Sequence, residues 1–322
     1  MTSHPRYDLI TLGETMLRLV PPGTLRLGQS GSLDLSFGGA ESNVAANLAR
    51  LGRRVSWWSR LPDNPLGHQL AGVLRSHGVD TGDVLYRDGE RLGVYFIEYG
   101  TDPRGIRVLY DRANSAASHM RPADVPDAWL ASGRWLHLTG ITPALSDTCR
   151  ATVQHAIDTA KANGASVSFD VNYRALLWPP DAAGSALAPF CAAADVVFVA
   201  LRDAHNLFGA AGDAQTVAST LQAKWGGMLI VTDGDSGAAA CDGADPVFVP
   251  ALPATVIDRI GAGDAFASGV IDRLLDGLPL TDALRYGAAL AALKLSIPGD
   301  IAQVTRAEVD ALLEQSGAGL HR

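Results

Sequence analysis

Residues 258–269, D-R-I-G-A-G-D-A-F-A-S-G, concentrate groups able to manage negative charge. Gly261 and Gly263 permit backbone conformations closed to other residues, so their N–H groups, with that of Ala262 between them, can point into one concavity. A helix starting near Gly263 or Asp264 adds unpaired donors and the positive end of a dipole, and such a place binds anions. Asp264 is the unexpected member. A carboxylate repels a bound phosphate, unless its task is to take a proton from a group about to attack that phosphate. Phosphoryl transfer asks for little more: donors for the developing charge, in-line positioning, a magnesium ion and a base for the acceptor hydroxyl. By itself G-A-G-D also reads as a tight turn followed by an N-capping aspartate. A dinucleotide-binding glycine motif fits poorly, since that fingerprint wants an acidic residue about 20 positions on. This chain has Leu284 there.

The elements that must position this stretch follow from patterning. Residues 7–12 form a short apolar run ending at Gly13, suited to a buried strand of a parallel sheet. Residues 14–20 continue extended as far as Pro21-Pro22-Gly23. Leu33 and Leu35 alternate with Asp34 and Ser36, the period-2 mark of a strand with one wet face. A helix is expected at 44–51, stopped by Gly52, then a strand at 55–59 and a helix at 66–77. Two β-rich runs, 92–99 and 106–110, flank Gly100-Thr101-Asp102-Pro103-Arg104-Gly105, a hairpin signal foreign to a series of βαβ units. With 14–37 this hairpin reads as a small β lid, or as a decorated sheet edge with no role in binding. From 135 onward the alternation is regular, with strands at 135–138, 166–170, 196–199 and 228–232 and helices such as 147–163 between them. The expected fold class is α/β, a doubly wound and mostly parallel sheet with helices on both faces. Its core would comprise 1–13, 38–90 and 115–322, and its lid 14–37 and 91–114. Ligands in such sheets gather at the carboxyl ends of the strands.

Those strand ends carry charge. In Asp170-Val171-Asn172-Tyr173-Arg174 the three polar residues share one side if the chain stays extended, although an internal ion pair of Asp170 with Arg174 also explains them. Arg112, in the apolar setting Y-D-R-A-N-S-A-A-S at the end of the hairpin, supplies a second guanidinium. Two arginines converging from lid and core would suit a carboxylate, which guanidinium grips in a planar, two-point fashion. That points to a sugar acid rather than a neutral sugar. Thr232-Asp233-Gly234-Asp235-Ser236-Gly237 follows a strand and by composition is equally a plain β-turn.

Composition removes other classes. The 322 residues are 47% hydrophobic, enough to bury a large core, and the net charge of −8 is spread without a basic stripe. Nucleic acid and anionic membranes are therefore not expected partners. Residues 1–8 hold a proline and charges where a signal peptide needs an apolar core, so a cytoplasmic location is expected. Cys149, Cys191 and Cys241 are widely spaced and the eight histidines form no metal-binding pair, so neither disulfides nor a structural metal is expected.

The stretch 258–269 resembles the C-terminal signature of the ribokinase-like (PfkB) family of carbohydrate kinases. F-G-G-A-E-S-N-V-A-A-N-L-A-R-L-G at 37–52 resembles the N-terminal signature of the same family. Further segments, G-G-A-E-x-N, Y-D-R-x-x-S-A-A-S, L-H-L-T-G-I-T, D-V-N-Y-R-x-x-L-W and I-P-G-D, are similar to the family's 2-keto-3-deoxygluconate kinases. The resemblance covers nearly the whole chain. It implies that Asp264 is the base, that Gly261, Ala262 and Gly263 form the anion hole, and that Gly39, Asn43, Tyr95, Tyr110, Arg112, Asp170 and Arg174 surround a sugar acid. It implies ATP and Mg2+ as cofactors. Thr232, Gly234 and Gly237 would border the ATP phosphates and ribose, near Asn172 and the glycines of 261–263. The helix 284–295 would flank adenine, though its Ala and Leu residues read equally as core. Asp203 is the one carboxylate kept where the family's magnesium-linked N-x-x-E segment appears as A-L-R-D, so the metal would remain largely water-coordinated. Arg259 and Ile260 stand where the family usually has two threonines, and 62–67 read P-D-N-P-L-G in place of G-D-D-P-x-G. The expected activity is ATP-dependent phosphorylation of the terminal hydroxyl of 2-keto-3-deoxygluconate. Its galactonate epimer, fructose, ribose or a nucleoside are alternative acceptors, and a non-catalytic sugar-acid sensor is the alternative of another kind. The lid, which covers the sugar in this family, would also allow a homodimer or a higher homo-oligomer.

Overall fold

The strand Leu9–Leu12 is buried along its whole length, which requires cover on both faces of its sheet. In the computed structural model, which describes residues 5–318, it lies within a nine-stranded sheet from which the chain winds both ways. On one side it pairs in parallel with Trp135–Thr139, followed by Ser166–Asp170, Val196–Ala200 and Met228–Thr232. On the other side come Val55–Trp58 and Val79–Asp80, also parallel. Gly237–Cys241 and Val247–Pro250 extend the far edge as antiparallel strands.

Alternation along each strand builds two cores. Val197 and Val199 pack into one apolar layer while Val196 and Phe198 pack into the other. The helices Asp147–Ala162, Pro180–Ala193 and Ala214–Trp225 cover the first layer. Ala40–Arg50, Pro65–Ser76, Ala262–Leu275 and Leu280–Leu295 cover the second. The architecture is the doubly wound α/β fold expected from the alternation of elements.

A separate four-stranded sheet has the order Asp34–Gly38, Met16–Val20, Val94–Glu98, Arg107–Asp111. Met16–Val20 and Val94–Glu98 pair in parallel although 73 residues separate them in the chain, as Leu19–Phe96 and Leu17–Val94 show in register. Two helices start four residues before the apolar pattern places them. Ala40–Arg50 opens on Glu41, Ser42 and Asn43, which are buried but polar, and Leu280–Leu295 opens on Thr281 and Asp282. Polar first turns hide from a hydrophobic periodicity. Among the described residues no helix is long and apolar enough to cross a membrane, and the three cysteines are free and buried.

Candidate active site

A cavity of about 460 Å³ lies where the sequence places ligands, at the carboxyl ends of the parallel strands. Asp170, Ala200 and Thr232, each the last residue of its strand, line it, and Glu14 and Ile141 follow two further strands into its wall. Met16, Tyr95, Val108 and Tyr110 of the small sheet form one side. The loop 259–264 forms another.

Gly261 turns that loop into the helix Ala262–Leu275. Its φ of +83° is open to glycine, and a Cβ there would stand 1.9 Å from the Asp300 carbonyl oxygen. Of the amides that follow, Ala262 N donates to the Arg259 carbonyl at 3.4 Å, and those of Gly263 and Asp264 belong to the first helical turn, whose donors have no acceptor within the helix. Gly261, Gly263 and Asp264 line the cavity; Ala262, between them, does not. Asp264 is the third residue of the helix and makes no capping bond, which removes the N-cap reading. Its Oδ2 instead accepts from Asn43 Nδ2 at 2.6 Å, from the first turn of Ala40–Arg50. Burial pushes the Asp264 carboxyl up to about 6, with the Asn43 donor holding it down in part.

Other acids face the same space. Burial, reinforced by the Asp264 charge, pushes Asp170 up to about 7, and burial raises Asp203 while Arg202 opposes. Behind them Glu41 is buried, its Oε1 accepting from Thr139 Oγ1 at 2.8 Å and Thr142 Oγ1 at 2.7 Å, and burial moves it up to about 7. Among the described residues no group of three or more His, Cys, Asp or Glu side chains could hold a metal ion. The cavity thus offers oxygen donors without a closed cage, which fits a magnesium ion that keeps most of its waters.

Four arginines reach the cavity, Arg112, Arg174, Arg202 and Arg259. Arg112, expected from the sequence to offer a guanidinium to a ligand, lies on the cavity wall with part of that guanidinium already paired. Arg112 Nε donates to Glu14 Oε2 at 2.8 Å, an Nη bonds the same oxygen, and Ser115 Oγ holds the other oxygen of Glu14. Its charge is matched by a partner 98 residues upstream, out of reach of any local pattern. Arg174 is exposed and has no side-chain hydrogen bond or ion pair among the described residues, so the pairing with Asp170 is absent. Nor is the chain extended there, because Asn172 has φ of +39°. Asp170, Asn172 and Arg174 nevertheless all line the cavity.

Gly39, Asn43, Tyr95, Tyr110 and Thr232 are also on the wall. A Cβ on Gly39 would stand 2.2 Å from the Glu14 carbonyl oxygen. Gly234 and Gly237 are set back from the cavity, in the turn between Met228–Thr232 and Gly237–Cys241, where Asp233 N donates to Gly237 O at 2.8 Å. Sequence reasoning missed a buried ionic set beneath the loop. Arg18, from the small sheet, donates to Asp300 Oδ1 at 2.6 Å and to Asp258 Oδ2 at 2.9 Å. Tyr95 OH donates to Asp300 Oδ2 at 2.8 Å, and Tyr99 OH to Asp258 Oδ2 at 2.5 Å. From below, Lys294 Nζ donates to the carbonyls of Asp258 at 2.9 Å and Ile297 at 3.1 Å. The signal was there: Arg18 and Lys294 are charges inside apolar runs, M-L-R-L-V and A-A-L-K-L.

The pfkB family carbohydrate kinase profile matches residues 7–306. The chain is 41% identical over 316 residues to a 2-dehydro-3-deoxygalactonokinase of Haloferax volcanii, covering 98% of this chain and 99% of the relative. It is 32% identical to a 2-dehydro-3-deoxygluconokinase of Bacillus subtilis, over 92% of each chain. The crystal structure of 2-dehydro-3-deoxygluconokinase from Thermotoga maritima, 34% identical, matches with a TM-score of 0.91 over 95% of this chain and 99% of that one. With such agreement over nearly the whole sequence, the chain belongs to the pfkB family of carbohydrate kinases and is an ATP-dependent sugar kinase.

Proposed function

We propose that the acceptor is a 2-keto-3-deoxy sugar acid, in the first place 2-keto-3-deoxygluconate, phosphorylated on its terminal hydroxyl. The observation that carries this reading is Arg174: an exposed guanidinium on a cavity wall rich in acids, with no partner of its own among the described residues. A neutral sugar would leave it idle, whereas a carboxylate accepts two parallel bonds from it. Arg112, whose Nη1 Glu14 does not engage, completes the carboxylate site from the small sheet, and Gly39, Asn43, Tyr95 and Tyr110 enclose the sugar. Asp264 takes the hydroxyl proton, and the amides at Gly261, Ala262 and Gly263 hold the charge that develops on the transferring group.

ATP lies against Thr232 and Asn172, with the turn of Gly234 and Gly237 behind it. Asp170 and Asp203 are the carboxylates that would face a magnesium ion carried in with the nucleotide, which supplies charge neutralisation when bound. The small sheet acts as a lid that excludes water, the competing acceptor. Exposed Leu35 and Leu109 on that sheet support a homodimer through it, and the reading places the enzyme in the cytoplasm.

The galactonate epimer is a second reading, favoured by the 41% identity to a 2-dehydro-3-deoxygalactonokinase. ADP release from magnesium-ATP, measured with both acids, fructose and ribose at equal concentration, separates these cases. Turnover of the acids alone, with the higher kcat/KM for 2-keto-3-deoxygluconate, is the expected result. Preference for the galactonate epimer selects the second reading, and turnover of a neutral sugar removes the carboxylate argument.

A further inference from the structure

The four cavity arginines are not equivalent. Arg112 pairs with Glu14 through Nε and one Nη, and Arg202 shares its Nε with Asp203 at 3.3 Å. Arg174 and Arg259 alone make no side-chain hydrogen bond or ion pair among the described residues. A sugar acid and a nucleotide bring two anionic groups, a carboxylate and a polyphosphate. Arg174 answers the first, which leaves Arg259 without an assigned task.

An exposed arginine is ordinarily a solvated charge, but the attachment of this one is unusual. Asp258, the residue before it, is buried, and its carboxylate is held by Arg18, Tyr99, the Ile260 amide at 3.0 Å and the Gly299 amide at 3.0 Å. Lys294 fixes the Asp258 carbonyl, and Gly261, two residues on, is packed against Asp300. The backbone at Arg259 is therefore clamped on both sides while its side chain is exposed and makes no hydrogen bond or ion pair among the described residues. It shares a loop with the amides of the anion nest. Asp170, Asp203 and Asp264 line the same cavity, carboxylates that would repel a polyphosphate in the absence of a facing cation.

We propose that Arg259 is a catalytic residue whose guanidinium contacts the γ-phosphoryl group of ATP and follows it to the acceptor. The acceptor oxygen forms a bond to phosphorus, and the bond from phosphorus to the bridging oxygen of ADP breaks with its electrons leaving on ADP. The hydroxyl proton passes to Asp264. Arg259 supplies charge where it accumulates, as a planar donor fork can and a threonine at this position cannot. The proposal rests on the kinase reading of the cavity, not on which sugar fills it.

The test is Arg259→Thr, a change at an exposed side chain that should leave the melting temperature in place. Three quantities are measured: kcat with an acceptor that the wild-type enzyme turns over, the Kd of the non-hydrolysable analogue AMP-PNP, and the Kd of ADP with aluminium fluoride as a mimic of the group in flight. The expected result is a kcat lower by about 100-fold, a mimic weakened to a similar degree, and AMP-PNP binding changed by less than about threefold. An unchanged kcat would return Arg259 to the solvated surface. Equal weakening of AMP-PNP and of kcat would make it a ground-state phosphate anchor and overturn the catalytic role. The AMP-PNP titration needs no sugar, and kcat can be taken with fructose if that is what the enzyme accepts, so failure of the sugar-acid assignment stays distinguishable from failure of this one.

Discussion

Replacing Lys294 with Met removes one of four charges in a buried set that sums to zero: Arg18 and Lys294 against Asp258 and Asp300. Lys294 is fully buried, and burial pushes its ammonium pKa down while Asp258 and Asp300 pull it back. The ammonium is thus no large stabiliser in its own right. Its loss matters for what it leaves behind. Two buried carboxylates would face one guanidinium, and the carbonyls of Asp258 and Ile297 would lose their donor. Removing one partner from such a set costs about 3–5 kcal/mol, and Met fills most of the space of the lysine stem, so little cavity cost is added.

Acid offers the variant partial relief. Burial raises the Asp300 carboxyl, with Arg18 as the main opposing influence and Lys294 a smaller one, so removing Lys294 raises it further. A protonated Asp300 no longer needs the missing cation. The loss should therefore be larger at pH 8 than at pH 5.5. Urea unfolding followed by tryptophan fluorescence at both pH values reads the change from the midpoint at unchanged slope. A loss below about 1 kcal/mol, or one equal at the two pH values, would refute the claim that these four groups act as an electrostatic unit. Because Lys294 ties the Asp258 loop to the Ile297 loop, the surviving folded variant should also show a lower kcat.

Asp264→Asn should lower kcat by about 10²–10⁴-fold, the scale of a lost general base, while AMP-PNP titration shows nucleotide binding intact. Near-normal turnover would remove Asp264 as the base. Arg174→Met should raise KM for the sugar acid and leave the melting curve in place, since the side chain is exposed. Arg112→Met should instead destabilise by about 3 kcal/mol, because Glu14 would stay buried with no counter-charge, and Glu14→Gln in the same chain should restore most of it. The double variant failing to recover would show that packing, not charge, is what Arg112 supplies. The pH dependence has a definite sign. Glu41, Asp170 and Asp264 have folded values of about 7, 7 and 6, above their ordinary ones, so the native state binds more protons than the unfolded chain. Their contribution to stability is full below the ordinary carboxylate range and is lost as pH rises through 6 to 7. The nucleotide-free protein should melt higher at pH 5.5 than at pH 8, whereas kcat/KM should climb through about pH 6 as Asp264 ionises.

What could be read from the sequence, and what could not, divides along the range of the interactions. The helix start after Gly261 was legible because the glycine turn and the helix that follows it are local, and the strand ends at Asp170 and Thr232 were legible because a strand's pattern stops where its strand stops, with the strand expected at 196–199 running one residue further to Ala200. The partners of the charges were not. Arg18 meets Asp300 across 282 positions, Arg112 meets Glu14 across 98, and no periodicity of 2 or 3.6 carries information over such distances. A guanidinium whose partner is that distant gives no local sign of it, so the pairing of Arg112 with Glu14 was not foreseen. The same blindness has a remedy in residue type: a lone charge within an apolar run, as at Arg18 and Lys294, must find a counter-charge or leave the core. That rule marks Arg18 and Lys294 as charges that need partners within the core. In the structure Arg18 and Arg112 are buried in ion pairs, with Asp258 and Asp300 and with Glu14, whereas Arg174 and Arg259 are exposed on the cavity wall.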